Sequence, residues 1–154
     1  MKIVYLHGLE SPQGGPKVDF LEQLGETLAP AMNYKKSGLF AETLRQVKVF
    51  KPDLIIGSSM GGYFAKALSS HTGIDALLFN PAIHSRSMEP SGVNYGNKKF
   101  KATVILGAKD DVIDPKETWL MLNKEGGNYN VKMEKGMGHR TPENIFKREV
   151  LFLT

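Results

Sequence analysis

Apolar runs of strand length alternate with helix-like segments along the whole chain. In the best runs nearly every residue is apolar, which is typical of strands covered on both faces of a parallel sheet. A weaker, alternating run and a short edge segment complete the set. The predicted strands cover 2–6, 31–34, 53–57, 75–80, 102–107 and 128–134.

The segments between these runs repeat their apolar residues at helical spacing. The predicted helices cover 16–29, 39–51, 60–70, 115–124 and 142–153. Pro16 suits a first helical turn, and Pro30 would end the same helix. Residues 82–100 show no period and are rich in Ser, Asn, Gly and Lys, so we expect a long loop.

Alternation of strands and helices predicts an α/β fold with helices on both faces of a mostly parallel sheet. About six strands are expected, in a single domain over residues 1–154. Because parallel strands end at one edge of a sheet, the reactive site should lie at their carboxyl ends. The polar residues that follow the predicted strands are His7, Ser59, Asn80, Asp110 and His139.

Composition excludes several kinds of chemistry. The chain has no cysteine, which removes disulfides, thiolate catalysis and cysteine-ligated metals. No apolar run approaches the roughly 20 residues of a membrane span, and no signal peptide is evident, so we expect a cytoplasmic protein. The net charge of +4 comes from scattered lysines, which favours a solvated basic face over nucleic-acid binding.

One pentapeptide stands at a predicted strand-to-helix junction. Gly57-Ser58-Ser59-Met60-Gly61 has the Gly-x-Ser-x-Gly spacing of a nucleophile elbow. The turn is so tight that a β-carbon at either glycine would collide with neighbouring backbone. A serine hydroxyl also needs a base within hydrogen-bond reach, a carboxylate that orients the base, and N–H donors for the oxyanion.

The base must come from four histidines. His71 lies near a predicted helix end, His7 belongs to the first loop, and His84 lies in the long loop. His139 follows the last strand in a glycine-flanked turn, Gly136-Met137-Gly138-His139, and is the favoured candidate.

Three aspartates compete for the role of the acid. Asp114 precedes Pro115 and is expected to cap the following helix. Asp110 lies nearer to the end of its strand than Asp111 and is favoured, with Asp111 kept as the alternative.

Together these residues resemble the α/β-hydrolase superfamily. The resemblance rests on His7-Gly8, the elbow at 57–61, Gly107-Ala108-Lys109-Asp110 and Gly138-His139, in the superfamily's order of nucleophile, acid and base. The compact chain, with Tyr5-Leu6-His7-Gly8 near its start, is most similar to small bacterial YqiA-type esterases.

The resemblance implies a role for each residue. Ser59 would attack an acyl carbonyl, His139 would relay its proton, and Asp110 would orient His139. The backbone N–H groups of Leu9 and Met60 would hold the oxyanion. Residues 81–101 are too few to form a cap domain, so the site should be shallow and open.

The function expected is therefore hydrolysis of carboxylic esters or thioesters of small molecules, without a cofactor. His7, Asn80, Ile83 and His84 are candidates for lining the substrate site because of their loops. The alternatives are a binding or regulatory protein that keeps the fold without activity, and an acyltransferase or peptidase with the same triad. No metal-ligand spacing and no Gly-rich nucleotide motif is present, which disfavours metal-dependent hydrolysis and nucleotide binding.

Overall fold

A single parallel sheet of six strands forms the centre of the molecule, in a computed structural model that describes residues 1–154. The strand order is β2-β1-β3-β4-β5-β6, and every neighbouring pair is parallel. The strands are β1 (Lys2–Leu6), β2 (Glu26–Leu28), β3 (Leu54–Ser58), β4 (Ala76–Phe79), β5 (Lys101–Gly107) and β6 (Asn128–Glu134). The predicted α/β class and the count of six strands are confirmed.

Five helices cover the two faces of the sheet. They are α1 (Pro16–Leu24), α2 (Leu39–Phe50), α3 (Met60–Thr72), α4 (Pro115–Glu125) and α5 (Glu143–Leu153). One face packs against α2, α3 and α4 around Phe40 and Phe64. The other face packs against α1 and α5 around Leu21 and Phe146. The alternating residues of β1, β3, β4 and β5 thus enter two separate cores, which explains why these four strands are unbroken apolar runs.

The strand register brings the carboxyl ends of the central strands together. Leu6 of β1 pairs with Gly57 of β3, and the next residue of β3, Ser58, pairs with Phe79 of β4. Phe79 in turn pairs with Ile105 of β5. The loops that leave these strands therefore start side by side at one edge of the sheet.

The prediction is wrong between residues 24 and 34. The first helix ends at Leu24 rather than at residue 29, and Glu26–Leu28 forms the edge strand β2 beside β1. Leu28 satisfies both a helical and a strand pattern, and the pairing of Glu26 N–H with the Met1 carbonyl, 3.0 Å away, favours the strand. Residues 31–34, predicted as the edge strand, form no strand.

The connection from β4 to β5 contains neither helix nor strand, as predicted for residues 82–100. Arg86 stabilises this connection. Its guanidinium donates hydrogen bonds to the carbonyls of Ala82 and Ile83, both at 2.9 Å, and forms an ion pair with Glu89. The same guanidinium lies 4.1 Å from the ring centroid of Tyr63 on α3. No helix in the structure has the length and apolar character needed to cross a bilayer.

Candidate active site

Ser59 occupies a strained turn between β3 and α3. Its backbone angles are φ 55° and ψ −115°, outside the conformations that a serine ordinarily adopts. The glycines of the elbow make the turn sterically possible. A β-carbon on Gly57 would overlap the Gly61 carbonyl, and one on Gly61 would overlap the Leu6 carbonyl. The packing of β3 and β1 against the start of α3 therefore holds the Ser59 hydroxyl at the end of the sheet.

A continuous chain of hydrogen bonds joins Ser59, His139 and Asp110. Ser59 Oγ lies 3.1 Å from His139 Nε2, and His139 Nδ1 lies 2.9 Å from Asp110 Oδ2. The Asp110 side chain is fully shielded from solvent, whereas that of His139 is 23% exposed. The imidazole therefore bridges a buried carboxylate and the hydroxyl of the partly exposed Ser59.

Among the three competing aspartates, Asp110 is the one in contact with His139. Its second oxygen, Oδ1, accepts hydrogen bonds from the backbone N–H groups of Val112 and Ile113, both at 2.9 Å. Both carboxylate oxygens are thus engaged, which fixes the orientation of the group. Asp111 is exposed, and Asp114 caps α4 by accepting from Lys116 N–H at 3.0 Å, as predicted for an N-cap.

Asn80 ties the His139 turn to the end of β5. Its amide nitrogen donates to the carbonyls of Gly138 and His139, at 3.0 and 2.8 Å. Its amide oxygen accepts from Gly107 N–H at 2.8 Å. Asn80 is 1% exposed and has φ 42°, a left-handed conformation that asparagine tolerates better than most residues. The sequence places Asn80 after a strand but gives no signal for this bridging role.

The two backbone N–H groups expected to hold an oxyanion flank the serine. Met60 is the first residue of α3, where N–H groups have no partner within the helix. The carbonyl of Ser59, in contrast, accepts hydrogen bonds from the backbone N–H groups of Gly62, Tyr63 and Ala82. Leu9 follows β1 in the loop that lines the same cavity as Ser59.

A cavity of about 750 Å³ opens above the serine. Ser59, Met60 and His139 line it together with Leu9. Three basic side chains also line it: Lys17, Arg86 and Arg140. Arg86 is a plausible substrate contact from its place in the long loop, whereas the sequence gives no signal for Lys17 or Arg140. Tyr5 lines the floor, and burial raises the pKa of its phenol to about 12, so it stays neutral. A separate cavity of about 620 Å³ lies at the amino ends of β5 and β6 and shares no residue with this one.

The four residues predicted to line the substrate site lie outside the lining of the Ser59 cavity: His7, Asn80, Ile83 and His84. His7 is buried and structural, because Nδ1 donates to the Gly8 carbonyl and Nε2 accepts from Met32 N–H. Ile83 belongs to the apolar core on the α3 face. These residues are within a few positions of lining residues in the chain, but their side chains point toward the protein interior. No group of three potential metal-ligating side chains is present.

The fold is shared with solved structures of low sequence identity. A Xanthomonas campestris pv. campestris protein assigned to the alpha/beta superfamily of hydrolases superposes with a TM-score of 0.71 at 16% identity, over 99% of both chains. A Paleococcus ferrophilus monoacylglycerol lipase gives 0.72 at 13% identity, over 99% of this chain and 93% of the lipase. A Bacillus cereus carboxylesterase gives 0.63 at 20% identity, over 97% and 85%. The architecture is therefore that of the α/β-hydrolase superfamily, without a cap domain.

The sequence, rather than the fold, defines the family. The chain belongs to the uncharacterised protein family UPF0227, whose model matches residues 2–91. The matched region includes β1, the elbow and Asn80, and it ends before Asp110 and His139. No curated protein matches the chain significantly by sequence.

Proposed function

We propose that this protein is a serine hydrolase that cleaves carboxylic esters through an acyl-enzyme on Ser59. The observation that carries the proposal is the hydrogen-bond chain from Asp110 through His139 to Ser59. A serine hydroxyl at its ordinary pKa is a poor nucleophile, and a neighbouring imidazole removes its proton as it attacks. Thioesters present the same acyl carbonyl and belong to the same proposal.

The buried carboxylate sets the direction of proton transfer. Asp110 accepts the Nδ1–H of His139, which leaves the Nε2 lone pair facing the Ser59 hydroxyl. Nε2 takes the serine proton while Oγ bonds to the carbonyl carbon, and it then gives that proton to the departing alcohol. Water enters, loses a proton to Nε2 and attacks the acyl carbon. Collapse of the second intermediate returns the acid product and the free hydroxyl.

Both tetrahedral intermediates carry a negative oxygen that needs donors. The N–H groups of Leu9 and Met60 are the proposed pair, because one follows β1 and the other begins α3 on either side of Ser59. Backbone donors held by a sheet and a helix need little reorganisation when the charge develops. Removing one such donor typically costs about 3–4 kcal/mol of transition-state stabilisation.

The named structural neighbours support acyl chemistry. One is a monoacylglycerol lipase and another is a carboxylesterase, and both share the fold over nearly the whole chain. Hydrolysis is the simplest outcome for this protein because an open cavity gives water access to the acyl-enzyme.

The test is labelling with a fluorophosphonate probe and hydrolysis of p-nitrophenyl acetate. We expect the probe to modify the peptide that contains Ser59, and Ser59→Ala to lower kcat/KM by about 10⁴-fold or more. Ser37→Ala, at an exposed serine outside the cavity, is the matched control. Equal ester hydrolysis by wild type and Ser59→Ala would overturn the assignment. No labelling and no turnover across a panel of short acyl esters would favour a binding protein.

Two neighbouring aspartates give a sharper control within the same experiment. Asp110→Asn should reduce kcat by about 10⁴-fold, because the amide no longer stabilises the charged imidazole or its working tautomer. Asp111→Asn changes an exposed side chain without contact to His139 and should retain wild-type kcat. Product analysis with added alcohol or amine distinguishes hydrolysis from acyl transfer.

A further inference from the structure

Charge is distributed unevenly around the cavity that holds Ser59. Apart from His139, the charged side chains that line it are Glu10, Lys17, Arg86, Arg140 and Glu143. Arg86 is committed to Glu89 and to two carbonyls, as described above. Glu143 lies 3.9 Å from Lys147 on its own helix.

Lys17 and Arg140 have no such partner. No carboxylate oxygen lies within 4.0 Å of either, and neither side chain makes a hydrogen bond within the protein. Lys17 is only partly exposed, and its ammonium lies 5.4 Å from the ring centroid of Phe146. A ring face attracts a cation but supplies no counter-charge and no hydrogen-bond acceptor.

The two cations are close enough to act on one another. Burial lowers the pKa of Lys17 from its usual value, Glu143 opposes this effect, and Arg140 lowers the pKa further. A partly desolvated ammonium beside a second cation is costly in the free protein, and an anion bound between them would relieve that cost.

The position of Arg140 in the chain relates this pair to the reaction. Arg140 directly follows His139, whose Nε2 must protonate the departing alcohol oxygen. The leaving group therefore lies on the His139 side of the scissile bond, and Arg140 and Lys17 line the same cavity as His139.

We propose that Lys17 and Arg140 form an anion-binding subsite for the leaving group of the ester. This proposal rests on the proposed function, and it narrows the substrate class to esters whose alcohol portion carries a carboxylate or a phosphate. A guanidinium binds either group through two parallel hydrogen bonds, and an ammonium adds a third donor.

Matched ester probes test the subsite. Methyl 4-acetoxybenzoate, 4-acetoxybenzoate and 4-acetoxyphenyl phosphate differ in the charge of the leaving group, and hydrolysis is followed by release of the phenol. We expect wild type to prefer an anionic probe over the neutral one by about tenfold in kcat/KM, mainly through KM. The preference should shrink as salt is raised, because salt screens partly exposed charges. The carboxylate and phosphate arms identify which anion fits better.

Two variants and their controls localise the effect. In Lys17→Met and in Arg140→Gln, the ratio of anionic to neutral kcat/KM should fall about threefold, because one of the two cations remains, and Lys17→Arg should keep most of the preference. Lys48→Met and Arg45→Gln remove exposed cations of α2 and should leave the ratio at its wild-type value. The neutral probe also reports whether each variant is folded and active.

Each outcome decides between the proposals. A wild-type ratio near one, or a ratio unchanged by both variants, overturns the subsite while Ser59-dependent hydrolysis of the neutral probe still stands. A preference for an anion on the acyl side, tested with phenyl hemisuccinate against phenyl butyrate, overturns the placement at the leaving group. Failure to hydrolyse any of these esters overturns the proposed function itself.

Discussion

The elbow and the His139 turn position two partners of one hydrogen bond by different physical means. At the elbow, steric contacts between backbone atoms fix the position. Ser59 adopts an unfavourable conformation because β3, β1 and α3 pack closely around the turn. In the His139 turn, hydrogen bonds from side chains fix the position. Asp110 accepts from the imidazole ring, and Asn80 donates to the backbone carbonyls of Gly138 and His139. A site held by sterics is sensitive to added atoms, whereas one held by hydrogen bonds is sensitive to lost donors.

The largest effect should come from adding one carbon to the elbow. In Gly57→Ala, the new methyl would overlap the carbonyl oxygen of Gly61 and approach the nitrogen of Gly62 to 2.7 Å. We expect a loss of at least about 2 kcal/mol in the free energy of unfolding, measured by urea denaturation. Gly136→Ala, where a β-carbon meets nothing within 4 Å, should change it by less than about 0.5 kcal/mol. Equal unfolding midpoints for the two variants would refute the steric account of the elbow.

A smaller effect, on activity, should come from removing the bridge at the His139 turn. Asn80→Gly keeps the positive φ but removes the donors to Gly138 and His139 and the acceptor for Gly107 N–H. We expect kcat for p-nitrophenyl acetate to fall by about 10–100-fold with KM changed by less than about twofold, because the imidazole is mispositioned while the cavity is retained.

The split between kcat and KM separates positioning from general destabilisation. Asn97→Gly, an exposed asparagine of the β4–β5 connection, serves as the control and should keep wild-type kcat. Wild-type kcat and an unchanged rate of fluorophosphonate labelling in Asn80→Gly would show that Asn80 does not position His139.

The smallest effect should come from the ion-pair network behind the turn. Glu149 on α5 accepts from Lys132 on β6 at 2.9 Å and from Arg148 at 2.9 Å, which ties together the two elements that flank the His139 turn. Burial raises the pKa of Glu149, but the hydrogen bonds from Lys132 and Arg148 outweigh it, so the pKa lies below its usual 4.5. Glu149→Gln should lower the free energy of unfolding at pH 7 by about 1 kcal/mol.

The sign of the pH dependence follows from that lowered pKa. A group that ionises more easily in the folded protein stabilises it above the unfolded pKa and loses this contribution as pH falls through the folded pKa. The difference between wild type and Glu149→Gln should therefore be constant near neutral pH, begin to fall near pH 4.5, and vanish only below the folded pKa. Glu117→Gln, an exposed glutamate on α4, should show no such acid-dependent difference. A difference that persists undiminished at pH 3 would contradict this assignment.

Features that depend on residues close together in the chain could be predicted from the sequence, whereas features that depend on contacts between distant residues could not. The elbow could be recognised because its glycines, its serine and the flanking strand are neighbours in the chain. The edge strand could not, because Leu28 fits both a helix and a strand, and only pairing with β1 decides between them. The choice of Asp110 over Asp111 rested on nearness to a strand end, and the contact with His139 across β5 and β6 supplies the geometric reason.

Long-range side-chain contacts account for what the sequence did not indicate. Asn80 was expected to face substrate, but three hydrogen bonds to distant backbone groups turn it inward. Lys17 and Arg140 carried no motif, since a lone cation in a sequence gives no sign of the cavity it will face. His7 belongs to a recognisable turn, yet its ring supports the loop that includes Met32.

The coil that carries the chain from β4 to β5 has an evolutionary consequence. In a regular α/β fold this passage would be a helix packed on the sheet, and changing its length would disturb a core. Here Ala82, Ser85, Arg86 and Ser87 form one wall of the Ser59 cavity, while the sheet is held by other elements. Substitutions at the exposed Ser85 and Ser87 would reshape the entrance to the cavity and leave Ser59, His139 and Asp110 where they are, because Ala82 N–H and Ile83, not these two serines, contact the elbow and the core. The cavity entrance can therefore change at these two positions at little cost to folding.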